Sequence, residues 1–269
     1  MITFQYSRPG LGELGTREER VLAAAETARG IVTGAARGIG KAAALRLRAE
    51  GVSVLAVDRD AAGLEALAAA GCETMAADLA DLADRDRVAA RGDGCDYLVN
   101  AAGIVLIKPI TEITVEDWRR VQTINAEAIF FLCQKIGPRM KPGGAIVNLS
   151  SSSAKLASTI EVAAYAASKT TILSITRSFA HALASRPVRV NAICPGIVDT
   201  PMQETVLEGI GPMRGMSAAE LNAARIRNVP LGRSASPEEC AGLIWFLLSE
   251  EAGYMTGQAI NYSGGMVTW

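Results

Sequence analysis

Histidine is almost absent from this chain of 269 residues, and its five cysteines show none of the spacings that bind zinc. The single histidine, His181, stands among helix-like residues, and no cysteine has a CxxC partner or a histidine nearby. These absences argue against a zinc site, a disulfide framework and a dehydrogenase mechanism based on histidine. We therefore expect no bound metal, free thiols in a reducing cytoplasm, and a surface or packing role for His181.

Clusters of lysine or arginine are also missing, and the formal net charge is only −1. Neither nucleic acid nor an anionic membrane is electrostatically favoured as a partner. No apolar run approaches the ~18 to 20 residues of a membrane span, and the first residues lack the apolar stretch of a secretion signal. We expect a cytoplasmic protein whose partner is a small molecule.

Short apolar segments alternate with longer helix-like segments along most of the chain. Because repeated βαβ units produce this alternation, the sequence predicts an α/β fold with a single doubly wound, Rossmann-like parallel sheet of about seven strands and helices on both faces. A helix is also predicted from the capping residue Ser236 to about Ser249. The predicted strands are residues 30–33, 52–57, 73–76, 97–100, 145–149, 188–193 and 258–261.

Two segments interrupt this alternation. Residues 1–27 precede the first strand and are expected to form an N-terminal arm. Residues 199–228 form a long excursion between the sixth strand and the last helix. Because long internal loops in compact domains are usually functional, this excursion is predicted to be a substrate lid, and a helical hairpin that closes the core is the alternative. Its apolar residues include Met202, Leu207, Ile210, Met213, Met216 and Leu221.

A glycine-rich turn joins the first predicted strand to a helix over residues 41–49. Gly34, Gly38 and Gly40 allow the backbone to turn tightly and approach a pyrophosphate at the positive end of that helix. Asp58 follows 18 residues after Gly40, where a carboxylate accepts hydrogen bonds from the adenosine ribose. Since Asp58 repels a 2′-phosphate, the pattern predicts a dinucleotide site that prefers NAD(H) to NADP(H). Two neighbouring cations, for which a phosphate contact and a solvent-facing role both stay open, are Arg37 and Arg59.

Tyr165 and Lys169 lie four residues apart in a helix-like segment downstream of the serine run at residues 150–153. Positions i and i+4 share one face of a helix, so the ammonium is expected beside the phenol ring. A fixed cation at ~4 Å would lower the phenol pKa from about 10 by about two to three units. The pattern predicts an oxidoreductase active site in which Tyr165 is the acid or base.

The motifs follow one another in the order found in the short-chain dehydrogenase/reductase family, which the chain resembles from about residue 29 onward. The family's TGxxxGxG pattern falls on Thr33, Gly34, Gly38 and Gly40, and residues 100–103, the serine run, Tyr165-x-x-x-Lys169 and Pro195-Gly196 follow. The resemblance implies one Rossmann-like dinucleotide-binding catalytic domain over residues 28–269. It implies that the coenzyme is bound by Gly34, Arg37, Gly38, Ile39, Gly40, Asp58, Asp78, Leu79, Asn100, Ala101, Ala102, Gly103, Tyr165, Lys169, Pro195, Gly196, Val198 and Thr200.

The family's four-residue catalytic set falls on Asn125, a serine, Tyr165 and Lys169. By resemblance, the asparagine anchors a water that hydrates the lysine, the serine holds the substrate oxygen, and the lysine also binds the nicotinamide ribose. Alignment from the preceding strand selects Ser151, whereas counting back from Tyr165 selects Ser152. We choose Ser151, because a strand end fixes position better than a loop of variable length.

The sequence departs from the family pattern in three places. Ala101 replaces the second asparagine of the common NNAG motif, the third helix is short, and the N-terminal arm is extended. None of these changes removes a catalytic group. The family usually forms tetramers through its fourth and fifth helices, so a homotetramer is expected through residues 115–136 and 163–183.

The leading functional prediction is an NAD(H)-dependent oxidoreductase that transfers a hydride between nicotinamide and a secondary alcohol or ketone, such as a polyol or hydroxy acid. Asp58 and the intact catalytic set favour it. One alternative is an NADPH-dependent 3-ketoacyl-thioester reductase. The other is a non-catalytic dinucleotide-binding protein, although such proteins commonly lose the tyrosine or the lysine.

Overall fold

The structure, a computed structural model, describes residues 27–156 and 160–269, so the predicted arm of residues 1–27 lies almost wholly outside the described residues. Its centre is one sheet of seven parallel strands in the order β3-β2-β1-β4-β5-β6-β7. The predicted α/β fold with a parallel sheet is confirmed, with strand ends displaced by at most two residues. The strands are β1 (Arg29–Thr33), β2 (Ser53–Asp58), β3 (Glu73–Ala76), β4 (Tyr97–Asn100), β5 (Ala145–Leu149), β6 (Arg189–Pro195) and β7 (Ala259–Tyr262).

Helices connect the strands and cover both faces of the sheet. They are α1 (Gly38–Ala49), α2 (Ala61–Ala69), α3 (Leu82–Ala90), α4 (Val115–Gln122), α5 (Ala128–Ile136), α6 (Ala163–Leu183), α7 (Pro201–Met213), α8 (Ala218–Ile226) and α9 (Pro237–Leu248). A π-helical turn, Thr123–Glu127, joins α4 to α5, and short 3₁₀ turns lie at Ile110–Glu112, Gly137–Arg139, Ser152–Ala154, Ile160–Val162 and Glu250–Ala252. Within the described ranges, no helix is long and apolar enough to cross a membrane.

The middle of the sheet is buried on both faces. Every residue of β5 is buried, as expected for a parallel strand between two helical layers. Because successive side chains of a strand alternate between faces, Leu98 of β4 joins one apolar cluster and Val99 joins the other. The first cluster includes Val88, Leu132 and Ile172 from α3, α5 and α6, and the second includes Leu47, Leu67 and Leu247 from α1, α2 and α9.

Several helices begin where a polar side chain accepts a hydrogen bond from the first turn. Thr114, Ser217 and Ser236 each form a capping box with the acidic residue three positions later, which fixes the starts of α4, α8 and α9. The start of α1 differs, because Arg37 at its N-cap makes no side-chain capping hydrogen bond and the first turn contains no acidic residue. The first turn of α1 is therefore suited to an anion.

The strand order reverses between β1 and β4, which leaves a crevice at the carboxyl ends of these strands. Thr33, the last residue of β1, links the ends of β1 and β4 by hydrogen bonds. Its hydroxyl accepts hydrogen bonds from the N–H groups of Ala101 and Ala102 at 3.2 and 3.3 Å, and donates to the Val99 carbonyl at 3.4 Å. The loops after β1 and β4 consequently lie side by side at the crevice.

Arg85 of α3 supports the π-helical turn from a buried position, with only 2% of the residue exposed. Its Nη1 donates to Glu127 Oε1 at 2.6 Å, and its Nη2 donates to the Thr123 carbonyl at 3.3 Å. Its Nε donates to the Leu79 carbonyl at 2.5 Å, after β3. One guanidinium therefore joins the end of the third strand to the turn that carries Asn125.

Replacing Arg85 with methionine should lower the free energy of unfolding by about 2 to 3 kcal/mol, because the buried Leu79 carbonyl loses its side-chain donor and the Thr123 carbonyl keeps only the Ala128 N–H. We expect less than the cost of breaking a fully buried ion pair, since the Glu127 side chain is 44% exposed and can be hydrated. Urea unfolding measures the change. Arg87→Met is the matched control and should cost under about 1 kcal/mol, because its pair with Asp84 is exposed. Equal losses in the two variants would contradict the assignment.

Candidate active site

A cavity of about 470 Å³ opens at the carboxyl edge of the sheet. Its lining comes from the loops that follow β1 to β6, from α6, α7 and α8, and from Met266 after β7. Ligands of open α/β sheets bind in the crevice at this edge, where the strand order reverses. The cavity is therefore the candidate site, and it brings together residues that follow all seven described strands.

The glycine loop forms one end of this cavity with very little room between its backbone segments. A Cβ atom at Gly34 would lie 2.6 Å from the backbone of Ala102, and one at Gly40 would lie 2.0 Å from the Gly34 carbonyl oxygen. Gly34 and Gly38 also have φ values of 68° and 56°, in the left-handed region that favours glycine. A loop of this shape, leading into the start of α1, fits the diphosphate of a dinucleotide.

Asp58 is held at the end of β2 beside that loop. Its Oδ2 accepts the Ala36 N–H at 3.0 Å, and its Oδ1 accepts the Asp60 N–H at 3.0 Å. Arg37 and Arg59 also line the cavity, so cations accompany the carboxylate at this end. The two hydrogen bonds fix the carboxylate, and the donor and acceptor set fits a ribose with its neighbouring phosphates.

Most of the other predicted coenzyme residues line the cavity, and Asn100 does not. The side chain of Asn100 is fully buried and donates to Asn148 Oδ1 at 2.9 Å and to Cys133 Sγ at 3.5 Å. Its side chain thus belongs to a polar contact in the core between β4 and β5, and the binding of coenzyme by Asn100 stays a prediction. The predicted residues that do line the cavity are Gly34, Arg37, Gly38, Ile39, Gly40, Asp58, Asp78, Leu79, Ala101, Ala102, Gly103, Tyr165, Lys169, Pro195, Gly196, Val198 and Thr200.

Tyr165 and Lys169 lie on α6, one turn apart on the same face. Lys169 Nζ is 5.5 Å from the centre of the Tyr165 ring and donates to the Leu149 carbonyl at 2.7 Å. Ser151 lies beside the phenol, where its hydrogen bonding lowers the Tyr165 pKa, and its hydroxyl accepts the Ser153 N–H at 3.1 Å. Ser152 lines the cavity too, but it begins the 3₁₀ turn that follows. The geometry therefore favours Ser151 over Ser152 as the partner of Tyr165.

The protonation of these two groups differs from the sequence-based expectation. Burial raises the pKa of Tyr165 above its usual value, and the hydrogen bond from Ser151 opposes this only in part. Burial also lowers the pKa of Lys169 to about 8. The predicted fall in the Tyr165 pKa was wrong for this arrangement, because burial removes water from around both groups and this desolvation has the largest effect on the phenol.

Asn125 lies behind the cavity wall in the π-helical turn and is fully buried. Its Oδ1 accepts the Ile104 N–H at 2.8 Å, while its Nδ2 donates to the Ile104 carbonyl and to Ser168 Oγ, each at 2.9 Å. A Cβ atom at Gly103 would lie 3.4 Å from both Asn125 Oδ1 and Lys169 Nζ. Asn125 therefore fixes the loop after β4 and lies close to Lys169.

The outer wall of the cavity contains polar residues that the sequence reasoning did not identify. Gln203 of α7 and Arg225 of α8 line the cavity and are hydrogen-bonded to each other. The available signal was helical spacing, since Gln203, Val206 and Ile210 recur on one face of α7. Of the apolar residues singled out in this segment, Met202, Ile210 and Leu221 line the cavity, Leu207 and Met216 pack beside them, and Met213 is 48% exposed.

Comparison with known proteins identifies the family. A family model described as enoyl-(acyl carrier protein) reductase matches residues 34–267. Galactitol 2-dehydrogenase of Agrobacterium fabrum is 37% identical over 245 residues, which cover 87% of this chain and 95% of that protein. Together with the coenzyme loop and the Tyr165–Lys169 pair, these matches show that the chain belongs to the short-chain dehydrogenase/reductase family. It is an oxidoreductase of the class that acts on CH–OH groups with a nicotinamide dinucleotide.

Two solved structures share the architecture. A short-chain dehydrogenase/reductase described as glucose/ribitol dehydrogenase, from Brucella melitensis, superposes with a TM-score of 0.82 at 33% identity, covering 91% of this chain and 98% of that one. A variant of actinorhodin polyketide ketoreductase, solved with NADPH, gives a TM-score of 0.84 at 31% identity with the same coverage of both chains. The likeness therefore extends over nearly the whole of both proteins.

The buried lysine makes stability depend on pH in a defined direction. The Lys169 pKa is about 8 in the folded chain and 10.5 in its ordinary state, so between these values the unfolded chain binds more protons. Stability therefore rises with pH across that window, by up to roughly 3 kcal/mol, and is lost as the pH falls towards 8.

Urea unfolding of the wild type and of Lys169→Met at several pH values isolates this contribution, because the titrations of groups distant from Lys169 cancel in the difference. We expect the unfolding free energy of the wild type, relative to the variant, to rise from pH 8 to pH 10.5. A difference that stays constant across the window would show that Lys169 is not held with a lowered pKa.

Proposed function

We propose that the protein is an NAD(H)-dependent oxidoreductase that transfers a hydride between nicotinamide and a secondary alcohol or ketone. The observation that carries this proposal is that Ser151, Tyr165 and Lys169 share one cavity with the glycine loop and Asp58. The site thus combines a group that can move a proton with a pocket suited to a dinucleotide. A polyol or a hydroxy acid is the expected class of substrate.

In this proposal the glycine loop and the start of α1 hold the coenzyme diphosphate, and Asp58 accepts hydrogen bonds from the adenosine ribose. When bound, the coenzyme supplies the carbon that accepts or donates the hydride. Asp78 and Leu79 border the adenine. The residues assigned to the middle and to the nicotinamide end are Ala101, Ala102, Gly103, Pro195, Gly196, Val198 and Thr200.

Tyr165 is the proposed acid and base. Its phenolic oxygen accepts the hydroxyl proton when an alcohol is oxidised and returns a proton when a ketone is reduced. Ser151 donates a hydrogen bond to the substrate oxygen and holds it within reach of the phenol. Because burial raises the Tyr165 pKa, the phenolate depends on these neighbours for stabilisation.

Lys169 is the proposed source of positive charge beside the phenol. Its Nζ lies over the Tyr165 ring, so an ammonium there stabilises the phenolate electrostatically. With a pKa of about 8, the ammonium form is present below that pH. Asn125 is the fourth member of the proposed set, and it positions the loop at Gly103 beside Lys169.

Residues 199–228 are proposed to be the substrate lid of one catalytic domain over residues 28–269. The segment forms α7 and α8, whose inner faces line the cavity. Val206, Leu207, Ile210 and Leu221 pack in one apolar cluster with Tyr165. Movement of these helices would therefore expose or cover the phenol and exclude water when closed.

A second candidate is an NADPH-dependent 3-ketoacyl-thioester reductase. The polyketide ketoreductase structure solved with NADPH supports it, as do the cations Arg37 and Arg59 beside the ribose site. Asp58 argues against it, because a carboxylate at this place repels a 2′-phosphate. A non-catalytic dinucleotide-binding protein is disfavoured, since Tyr165 and Lys169 are both retained.

We also propose that the protein is a cytoplasmic homotetramer. Val115, Trp118 and Phe130, on α4 and α5, are 58%, 44% and 37% exposed, and apolar surface of this kind is typical of subunit contacts. The five cysteines are buried free thiols, which is consistent with a reducing compartment.

The coenzyme preference is tested by replacing Asp58 with asparagine, which removes the charge and keeps an oxygen that accepts hydrogen bonds. We expect the affinity for NAD to fall about 10-fold and the preference over NADP to relax. Titration of wild type and variant with each coenzyme measures this. Asp60→Asn is the matched control, because Asp60 caps α2 by accepting the Gly63 N–H at 3.0 Å. A wild type that prefers NADP would overturn the role of Asp58.

The proton-transfer role is tested by Tyr165→Phe. We expect turnover of alcohols to fall by at least about 100-fold, since the phenolic oxygen is the acid and base, while coenzyme binding persists. Rates with a panel of polyols and hydroxy acids, together with coenzyme titration, separate the two effects. Tyr254→Phe, at a fully exposed position, is the control and should match the wild type. Full activity in Tyr165→Phe would exclude the proposed mechanism.

A further inference from the structure

Arg225 places a positive charge on the cavity wall without a carboxylate partner in the described residues. Its Nη1 donates to Gln203 Oε1 at 2.9 Å, which is a neutral acceptor. Burial lowers the pKa of Arg225, and the nearby charge of Arg214 lowers it further. A half-buried guanidinium next to another cation would be stabilised electrostatically by a bound anion.

Arg214 provides an informative comparison on the same wall. Its Nε and Nη2 donate to Glu161 Oε1 and Oε2, each at 2.8 Å, so its charge is neutralised by a carboxylate of the chain. Arg225 has no equivalent ion pair among residues 27–156 and 160–269. The unneutralised charge at this place therefore belongs to Arg225.

Gln203 adds a second donor at the same position. Because its Oε1 accepts from Arg225, its Nε2 is the free end of the amide, and that nitrogen is buried with no hydrogen-bond partner in the described part of the chain. A buried amide nitrogen without an acceptor is costly. The guanidinium and the amide thus present adjacent donors on the wall formed by α7 and α8.

Among the described residues, no acidic side chain lines the cavity beside these donors, and the nearby Glu161 is paired with Arg214. The acidic residues that line the cavity are Asp58 and Asp78, which follow β2 and β3 at the adenosine end. The remaining wall near α7 and α8 includes Val105, Val162, Val206, Ile210 and Leu221. A ligand that fits this part of the cavity has an apolar body and an anionic group.

We propose that the substrate carries a carboxylate, which Arg225 and Gln203 bind while its hydroxyl or carbonyl group meets Tyr165 and Ser151. The substrate class is therefore a hydroxy acid and the corresponding keto acid. A guanidinium suits this role because its planar donors match the two oxygens of a carboxylate. This assignment rests on the proposed oxidoreductase function and selects hydroxy acids over polyols within it.

The diphosphate of the coenzyme is the competing anion, and the position of Arg225 favours the substrate. Leu221 lies one helical turn before Arg225 on α8 and packs in the cluster that contains Tyr165. Arg214, whose charge lowers the Arg225 pKa, pairs with Glu161, and Glu161 lies four residues before Tyr165 in the sequence. The proposed diphosphate site, formed by the glycine loop and the start of α1, lies at the other end of the cavity.

The test compares short-chain 2-hydroxy and 3-hydroxy acids with their primary amides, in the presence of the preferred coenzyme. For the wild type we expect kcat/KM for the best acid to exceed that for its amide by at least about 10-fold. Arg225→Met should reduce kcat/KM for the acid by about 10- to 100-fold, mainly through KM, and so erase the preference. Arg225→Lys should restore part of it, because it restores a charge without the planar donors.

Arg227→Met is the matched control, since Arg227 is exposed at the end of the same helix and lies outside the cavity lining. Equal kcat/KM values for acids and amides in the wild type would overturn the proposal, and so would a preference for acids that survives Arg225→Met. In either case, turnover of the amides would still support the oxidoreductase function. A preference for phosphate monoesters of diols would likewise overturn the carboxylate assignment.

Coenzyme affinity is measured by titration in the same variants. A loss of coenzyme affinity in Arg225→Met that equals the loss in kcat/KM would assign the guanidinium to the coenzyme diphosphate and overturn the proposal. Failure of the wild type to turn over acids, amides and polyols alike, with no coenzyme binding, would overturn the proposed function together with this inference.

Discussion

The hydrogen bonds between the end of β5 and α6 hold the reactive groups together, and the rest of the site depends on them. Ser150 Oγ donates to the Lys169 carbonyl at 2.8 Å, and Lys169 Nζ donates to the Leu149 carbonyl at 2.7 Å. These bonds fix both the rotation and the height of the helix against the strand. A slip of one helical turn would move the Tyr165 ring by about 5.4 Å, out of reach of Ser151.

Much of the fold follows from local patterns in the sequence. Parallel strands buried on both faces must be short and apolar, so the strand positions were visible in the apolar runs. The start of α9 was visible in Ser236 and its capping box. The coenzyme end of the site was visible for a similar reason, because Gly34, Gly40 and Asp58 act through backbone shape and strand ends, which local sequence determines.

The remaining features depend on contacts between distant parts of the chain. Asn100 lies at a strand end like its neighbours, but the Asn100 side chain is buried in the core and hydrogen-bonded to Asn148, 48 residues away. The sign of the Tyr165 pKa shift depends on how much water the folded chain removes, which spacing alone does not give. Arg225 is one of many arginines in the sequence, and only the packing of α8 against α7 distinguishes it.

The π-helical turn between α4 and α5 has a consequence for how this chain tolerates change in length. Each residue advances a helix by about 100°, so the extra residue of the turn sets the angular offset between the two helices. Deleting one residue there would rotate α5 and the apolar side chains it buries, including Leu132, away from the sheet. A substitution in this segment changes the packing of one side chain, whereas a single deletion would rotate the whole of α5 out of register with the residues it packs against.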